Sequence, residues 1–202
     1  MRMIPASSLP PGSGPPTIRP MTPDSPNADA GPLLFQPLEL RGTTLRNRIV
    51  VSPMCMYSAV EGVASAWHHV HLGSLACSGV GLVIAEATSV EARGRITPNC
   101  LGLWNDDCER ALARVVATVR EVAPKAAFGI QLGHAGRKAS HAHPWAPARG
   151  YVKPEDGGWT TVGVSENSYE DIAPHAHALD RRDLDAERLR RVREHLRRRL
   201  LL

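Results

Sequence analysis

The run Val80-Gly81-Leu82-Val83-Ile84-Ala85 is followed directly by Glu86-Ala87-Thr88. Two other apolar runs accompany it, Arg48-Ile49-Val50-Val51 and Ala126-Ala127-Phe128-Gly129-Ile130-Gln131-Leu132. Short runs that stay apolar at successive positions are typical of parallel strands buried on both faces. The sequence therefore predicts three such strands, with polar or reactive side chains where each one ends.

Helical stretches separate the three runs. Between the second and third, a helix is predicted over residues 106–122, with acidic residues in its first turn, where the helix dipole favours negative charge. Its apolar face is formed by Leu112, Val115, Val116, Val119 and Ala123. Between the first and second runs, a helix is predicted over residues 66–77, before Gly79, which suits a left-handed cap. The predicted order is β-α-β-α-β.

Two all-parallel architectures fit this order, a doubly wound sheet and a (β/α)8 barrel. The first run is followed by Ser52-Pro53-Met54-Cys55-Met56-Tyr57-Ser58, which lacks the G-x-G-x-x-G turn of a dinucleotide-binding fold. The sequence therefore favours the barrel. Function in a barrel lies at the carboxyl ends of the strands, where Cys55, Glu86 and Gln131 fall.

Composition excludes several classes of protein. The 202 residues carry a net charge of +4, and the nine arginines and five acids of residues 180–202 account for all of it. A body without net charge gives no reason to expect nucleic acid as a partner. No apolar run approaches the roughly 20 residues that cross a bilayer, and no secretory signal is recognised. A cytoplasmic location and no membrane partner are therefore expected. The four cysteines form no C-x-x-C pair, so they are expected to be reduced thiols.

Three regions differ in composition. Residues 1–32 contain nine of the seventeen prolines and are predicted to be a disordered extension. Residues 33–179 are predicted to form the partial barrel, and residues 180–202 an Arg-rich terminal helix. The apolar stripe of that helix is formed by Leu189, Val192, Leu196 and Leu200.

Several long motifs occur in a distinctive order. They are Asn47–Tyr57 (NRIVVSPMCMY), Gly94–Pro98 (GRITP), Leu101–Trp104 (LGLW) and Gln131–Lys138 (QLGHAGRK). Together they resemble the Old Yellow Enzyme family, and in particular its bacterial NADH:flavin oxidoreductases and ene-reductases. The likeness extends from Leu34 to Leu179. It implies about three βα units from the N-terminal portion of a (β/α)8 barrel.

The resemblance also implies a cofactor and a site. FMN is expected to bind non-covalently at the carboxyl-end face, in contact with Ser52, Pro53, Met54, Cys55, Ala87 and Gln131. Gln131 is expected to bind the pyrimidine edge of the flavin, and Tyr57 to face the substrate as the catalytic residue. Glu86 and His134 are expected to be structural.

The activity implied is oxidoreduction through FMN. NADH or NADPH supplies a hydride, which passes to the β-carbon of an α,β-unsaturated carbonyl compound, and a proton is added at the α-carbon. Members of the family are often homo-oligomeric.

Other roles remain open for these residues. Gln131 could be satisfied by backbone, Cys55 could serve packing, and Tyr57 could cap a strand. The histidine clusters at His68–His71 and His141–His143 lack the partners of a zinc site, so no metal is expected.

The family's histidine pair, flavin-contacting arginine and phosphate-binding loops come from later strands and have no counterpart in the sequence. The alternative is therefore a truncated, catalytically inactive fragment. It would retain weak flavin binding or associate through its basic helix, and alone it would be marginally folded.

Overall fold

The computed structural model describes residues 31–169 and 175–178. The predicted extension, apart from its last two residues, lies outside the described residues, and so does the predicted Arg-rich helix. The helices are α1 (Ala66–Cys77) and α2 (Asp106–Val122). The strands are β1 (Leu38–Leu40), β2 (Thr43–Leu45), β3 (Val50–Val51), β4 (Leu82–Ser89), β5 (Ala127–Gly133), β6 (Val162–Gly163) and β7 (His177–Ala178).

The central sheet is parallel and has the order β3-β4-β5. Val51 pairs with Val83, and Leu82 pairs with Ala127. Because the strands are parallel, the carboxyl ends of all three lie at the same end of the sheet. A hairpin of β1 and β2 precedes the sheet, and the short parallel pair of β6 and β7 follows it.

Local sequence explains where the two helices begin. The Asn105 side chain accepts a hydrogen bond from the backbone N–H of Cys108 at 2.9 Å and so caps α2. In α1, the backbone N–H of Ser65 donates to Nδ1 of His68 at 2.9 Å, which forms one half of a capping box. Beyond the end of α1, Gly79 takes the predicted left-handed conformation, with φ of +93°.

The core lies between the helices and the sheet. Val83 and Ala85 of β4 are fully buried there, together with Val115 and Val119 of α2. The apolar face predicted for α2 packs on the sheet as its spacing requires. This packing fixes the strands whose ends carry the candidate site.

Burial on both faces is wrong for the two outer strands. No residue of β5 is fully buried, and in β3 Val50 is exposed and Val51 is only partly buried. The reason is that each strand lies at one side of the described sheet, so only β4 pairs with it. The strand boundaries also differ from the prediction. β4 continues beyond Ala85 to Ser89, because its pairing with β5 continues there.

The pairing of β4 with β5 contains one irregularity. Ala85 pairs with Ile130 and Ala87 with Gln131, so Glu86 is an extra residue that faces none on β5. Such a bulge changes the direction of side chains locally and is common beside active sites. Here the bulge lies at the carboxyl end of β4, beside Gln131, the first residue of the Gln131–Lys138 motif.

The close approach of Gly81 to the backbone of Asn47 allows this packing to be tested. A methyl group on Gly81 would lie 2.3 Å from the carbonyl oxygen of Asn47. We therefore predict that Gly81→Ala lowers the free energy of unfolding by about 1–3 kcal/mol, measured by urea denaturation. In Gly73→Ala, the nearest atom lies 3.8 Å away and alanine favours the helix, so a gain of up to about 1 kcal/mol is expected. Equal effects of the two substitutions would contradict the described approach.

Candidate functional site

The segment after β3 brings Cys55 to the carboxyl end of the sheet. Its thiol is half-buried, and burial raises its pKa above the ordinary value. A backbone hydrogen bond from Ala87 acts in the opposite direction and links the thiol to β4. Cys55 is therefore a protonated thiol near neutral pH, held against the end of the neighbouring strand.

Ala87 and Gln131 lie side by side on β4 and β5. They are direct partners in the strand register, and the Gln131 side chain is exposed. Both line a cavity of about 210 Å³ that also contains Gly133 and Ala135. Small residues on these strand ends leave room for a flat molecule, and the amide of Gln131 can both donate and accept hydrogen bonds.

The three predicted contact residues before Cys55 differ in exposure. Ser52 and Met54 are exposed, and Pro53 is partly buried. Cys55, Ala87 and Gln131 thus meet at the end of the sheet, whereas Ser52, Pro53 and Met54 lie along the segment that leads to it. The role of these six residues in binding FMN stays a prediction.

Tyr57 adopts an unusual backbone conformation beside this group. Its φ is +50°, in the left-handed region that costs a residue with a Cβ about 1–2 kcal/mol. Its ring packs edge-on against Trp145 at 5.4 Å between centroids and near His143 at 6.5 Å. Burial raises the pKa of its phenol, so the phenol keeps its proton near neutral pH.

A larger cavity opens on the same side of the molecule. Its volume is about 470 Å³, and Tyr57, Lys138, His141, Arg149 and Tyr169 line part of it. The residues after β5 that contribute to this cavity, including those around Trp145, were not predicted to join the site. The signal that could have found them is the aromatic group that follows the Gln131–Lys138 motif, His141-Ala142-His143-Pro144-Trp145.

Contacts between Arg95 and two tryptophan rings hold the loop after β4 in place. The guanidinium of Arg95 lies 5.3 Å from the ring centroid of Trp104 and 4.6 Å from that of Trp159. Arg95 is 8% exposed and donates to the carbonyl oxygen of Pro98 at 3.2 Å. Stacking and hydrogen bonding together fix the loop that carries Ile96, which lines both cavities.

His134 has two hydrogen-bonded ring nitrogens. Nδ1 accepts from the backbone N–H of Gly136 at 2.9 Å, so Nε2 carries the proton and donates to Glu91 at 2.7 Å. These contacts fit the structural role expected for His134. No group of three or more potential metal ligands occurs in the described ranges 31–169 and 175–178.

Comparison with known proteins identifies the family. The model of the NADH:flavin oxidoreductase / NADH oxidase family matches residues 33–186. The chain therefore belongs to this family, and the resemblance drawn from its motifs is confirmed.

Two curated relatives show the extent of the match. A NADH:flavin oxidoreductase of Gibberella zeae is 44% identical over 126 residues, which cover 62% of this chain and 30% of that protein. A NADPH dehydrogenase of Geobacillus thermodenitrificans is 50% identical over 109 residues, which cover 53% of this chain and 32% of that protein. The chain thus spans about a third of the length of these relatives.

Solved structures share the fold. Morphinone reductase matches with a TM-score of 0.62 and 24% identity over 83% of this chain and 45% of its own. The old yellow enzyme homologue from Zymomonas mobilis gives a TM-score of 0.64 and 23% identity over 84% and 45%. These matches confirm the predicted fold, an N-terminal section of the (β/α)8 barrel of Old Yellow Enzymes. Within the described residues, no helix has the length and apolar character needed to span a bilayer.

The raised pKa of Cys55 predicts a pH dependence of stability. Below the ordinary thiol pKa of 9.0, both the folded and the unfolded chain hold the proton, and the contribution of the thiol is fully present. Above that value the unfolded chain releases the proton first, so the free energy of unfolding falls as pH rises. Urea denaturation between about pH 7 and pH 10 should show a smaller fall in Cys55→Ala.

Cys77 provides the matched control because its side chain is exposed. Cys77→Ala should leave the alkaline loss of stability as in the native chain. If Cys55→Ala and Cys77→Ala change the loss equally, the burial of Cys55 is contradicted.

Proposed function

We propose that the chain carries the flavin-binding part of an FMN-dependent NAD(P)H oxidoreductase of the ene-reductase type. The observation that carries the proposal is the meeting of Cys55, Ala87 and Gln131 at the carboxyl end of the sheet. Membership of the NADH:flavin oxidoreductase family supports it. The names of two relatives, a NADPH dehydrogenase and a NADH:flavin oxidoreductase, support NADPH or NADH as the reductant.

The residues present fit the chemistry of a flavin. An isoalloxazine has apolar faces and a polar pyrimidine edge, so its site needs small residues beside the ring and an amide at the edge. Ala87 and Gly133 supply the small residues, and the exposed Gln131 amide supplies a donor and an acceptor. Ser52, Pro53, Met54 and Cys55 would complete the contacts on the side of β3.

When bound, FMN supplies the transfer of a hydride from NAD(P)H to the β-carbon of an α,β-unsaturated carbonyl compound. Gln131 orients the polar edge of the cofactor, and the protonated Cys55 thiol offers a weak hydrogen bond. Tyr57 faces the substrate and donates a hydrogen bond or a proton, because its phenol stays protonated. Trp145 packs against the Tyr57 ring and fixes its direction.

The state of the four cysteines is relevant to the cellular compartment in which this reaction would take place. Cys55, Cys77, Cys100 and Cys108 are all free thiols. Free thiols persist in reducing compartments, which supports a cytoplasmic location for the proposed function.

A second candidate function is association without catalysis. The observation that favours it is a cavity of about 470 Å³ between α2 and β5. Apolar residues dominate its lining, among them Leu112, Val116, Phe128 and Ile130, although Glu109 and Arg120 also contribute. In the described part of the chain, β5 also pairs on one side only. Such an edge can accept a further barrel strand from a complementary polypeptide.

Loss of the Gln131 amide should weaken flavin binding. We predict that Gln131→Leu raises the Kd for FMN about tenfold, because about 1–2 kcal/mol of hydrogen bonding at the polar edge is lost. Quenching of FMN fluorescence on addition of the full chain measures this Kd. Gln36→Leu is the control, because the amide of Gln36 lies outside the candidate site and donates locally, to the carbonyl oxygen of Gly31 at 2.9 Å. An unchanged Kd in Gln131→Leu would remove Gln131 from the site.

Turnover separates the two candidate functions. The full chain with FMN and NADPH or NADH is assayed for reduction of cyclohexenone, and Tyr57→Phe is predicted to lower kcat about tenfold or more while the Kd for FMN is unchanged. Tyr151→Phe is the control, because its hydroxyl donates instead to the carbonyl oxygen of Trp159 at 3.1 Å. Flavin binding without any turnover in the native chain would favour the second candidate.

A further inference from the structure

A buried acid and a buried histidine lie behind the Cys55 segment. Glu86 is 4% exposed and His68 is 2% exposed. Oε1 of Glu86 lies 3.4 Å from Nε2 of His68. A carboxylate removed from water in this way is costly unless other groups compensate it, so the contacts of Glu86 define its role.

The second oxygen of Glu86 reaches the segment that contains Cys55. Oε2 accepts a hydrogen bond from the backbone N–H of Met56 at 3.3 Å. Met56 stands between Cys55, which carries the half-buried thiol, and Tyr57, which has the left-handed backbone. Glu86 therefore ties β4 to the residue between two residues of the candidate site.

His68 is oriented by the start of α1. Its Nδ1 accepts a hydrogen bond from the backbone N–H of Ser65 at 2.9 Å, so the proton of the neutral ring is on Nε2. Nε2 lies close to Oε1 of Glu86 but outside hydrogen-bond geometry. A series of contacts thus connects the start of α1 to Met56 through His68 and Glu86. It begins at the backbone N–H of Ser65 and ends at the backbone N–H of Met56, and the fold holds both groups in place.

The bulge in β4 provides the reason for this geometry. Glu86 is the extra residue between Ala85 and Ala87, both of which pair with β5. Because the bulge gives Glu86 no partner on β5, its side chain can turn to α1 and Met56 while Ala87 still lies beside Gln131.

We propose that Glu86, oriented by His68, is a positioning residue that holds the Cys55–Tyr57 segment in place and sets a negative charge beside the Cys55 thiol. The relevance of this role to catalysis rests on the proposed flavin site, whereas the contacts of Glu86 with Met56 and His68 do not depend on it. Tyr57 gains most from such a tie, because its left-handed backbone persists only if the surroundings hold it.

The electrostatics of the segment agree with this role. Burial is the main cause that raises the pKa of Cys55, and the charge of Glu86 raises it further. Cys100 acts in the same direction and Lys138 in the opposite one, and these are the other titratable groups that act on the thiol. Glu86 also contributes to the raised pKa of Tyr57.

Alkylation of Cys55 tests the proposal in the full chain without flavin. All proteins carry Cys77→Ser, because Cys77 is exposed whereas Cys100 and Cys108 are buried. The rate of reaction with iodoacetamide is measured against pH, which reports the pKa of the thiol. In Glu86→Gln we expect the midpoint to move to lower pH and the reaction at neutral pH to become faster, because the negative charge is lost.

Two variants control this result. Glu91→Gln removes a carboxylate that bonds instead to Arg93 and His134, and it should leave the midpoint unchanged. Glu86→Asp keeps the charge but shortens the side chain, so it should keep the midpoint closer to the native value than Glu86→Gln does. An unchanged midpoint in a folded Glu86→Gln protein overturns the proposal, even if its thermal stability is lower.

If Glu86→Gln does not fold, the double variant His68→Leu, Glu86→Leu replaces it. Removal of both partners leaves neither of them buried and unpaired, which is the usual cause of severe destabilisation. The same shift of the midpoint to lower pH is expected, and an unchanged midpoint overturns the proposal. Because alkylation needs no flavin, these results are distinguishable from a failure of the chain to bind FMN.

Discussion

The pairing of β4 with β5, interrupted at Glu86, is the constraint on which the rest of the candidate site depends. Regular pairing on both sides of the bulge holds Ala87 beside Gln131. The extra residue at the bulge directs a carboxylate to Met56 and His68. One irregularity of the backbone therefore serves both the surface proposed for FMN and the support behind Cys55.

The helix-covered face of the sheet and the carboxyl ends of its strands have different roles. On that face, Val83 and Ala85 of β4 pack with Val115 and Val119 of α2 in the core, which holds the strands in register. The ends of the strands carry exposed or half-buried groups, among them Gln131, whose polar atoms are available to a ligand. Rigid strands that present side chains at their carboxyl ends are the common basis of sites in (β/α)8 barrels.

The sequence alone predicted the parts of this fold that depend on local information. The predicted bounds of α1 and α2 are those observed, because the signals used lie within or directly beside each segment: the acidic first turn and apolar spacing of α2, and Gly79 after α1. The bulge at Glu86 could not be predicted, since it is defined by the register with β5. The contact of Tyr57 with Trp145 joins residues distant in the chain and was missed for the same reason.

The central claim is that FMN lies against Cys55 at the end of the sheet, and protection of that thiol tests it most directly. The rate of alkylation of Cys55 is measured in the Cys77→Ser chain as FMN is added, and flavin fluorescence reports occupancy in the same samples. The account predicts that the rate falls in proportion to the bound flavin. Bound flavin that leaves the rate unchanged, or no binding at all, would contradict it.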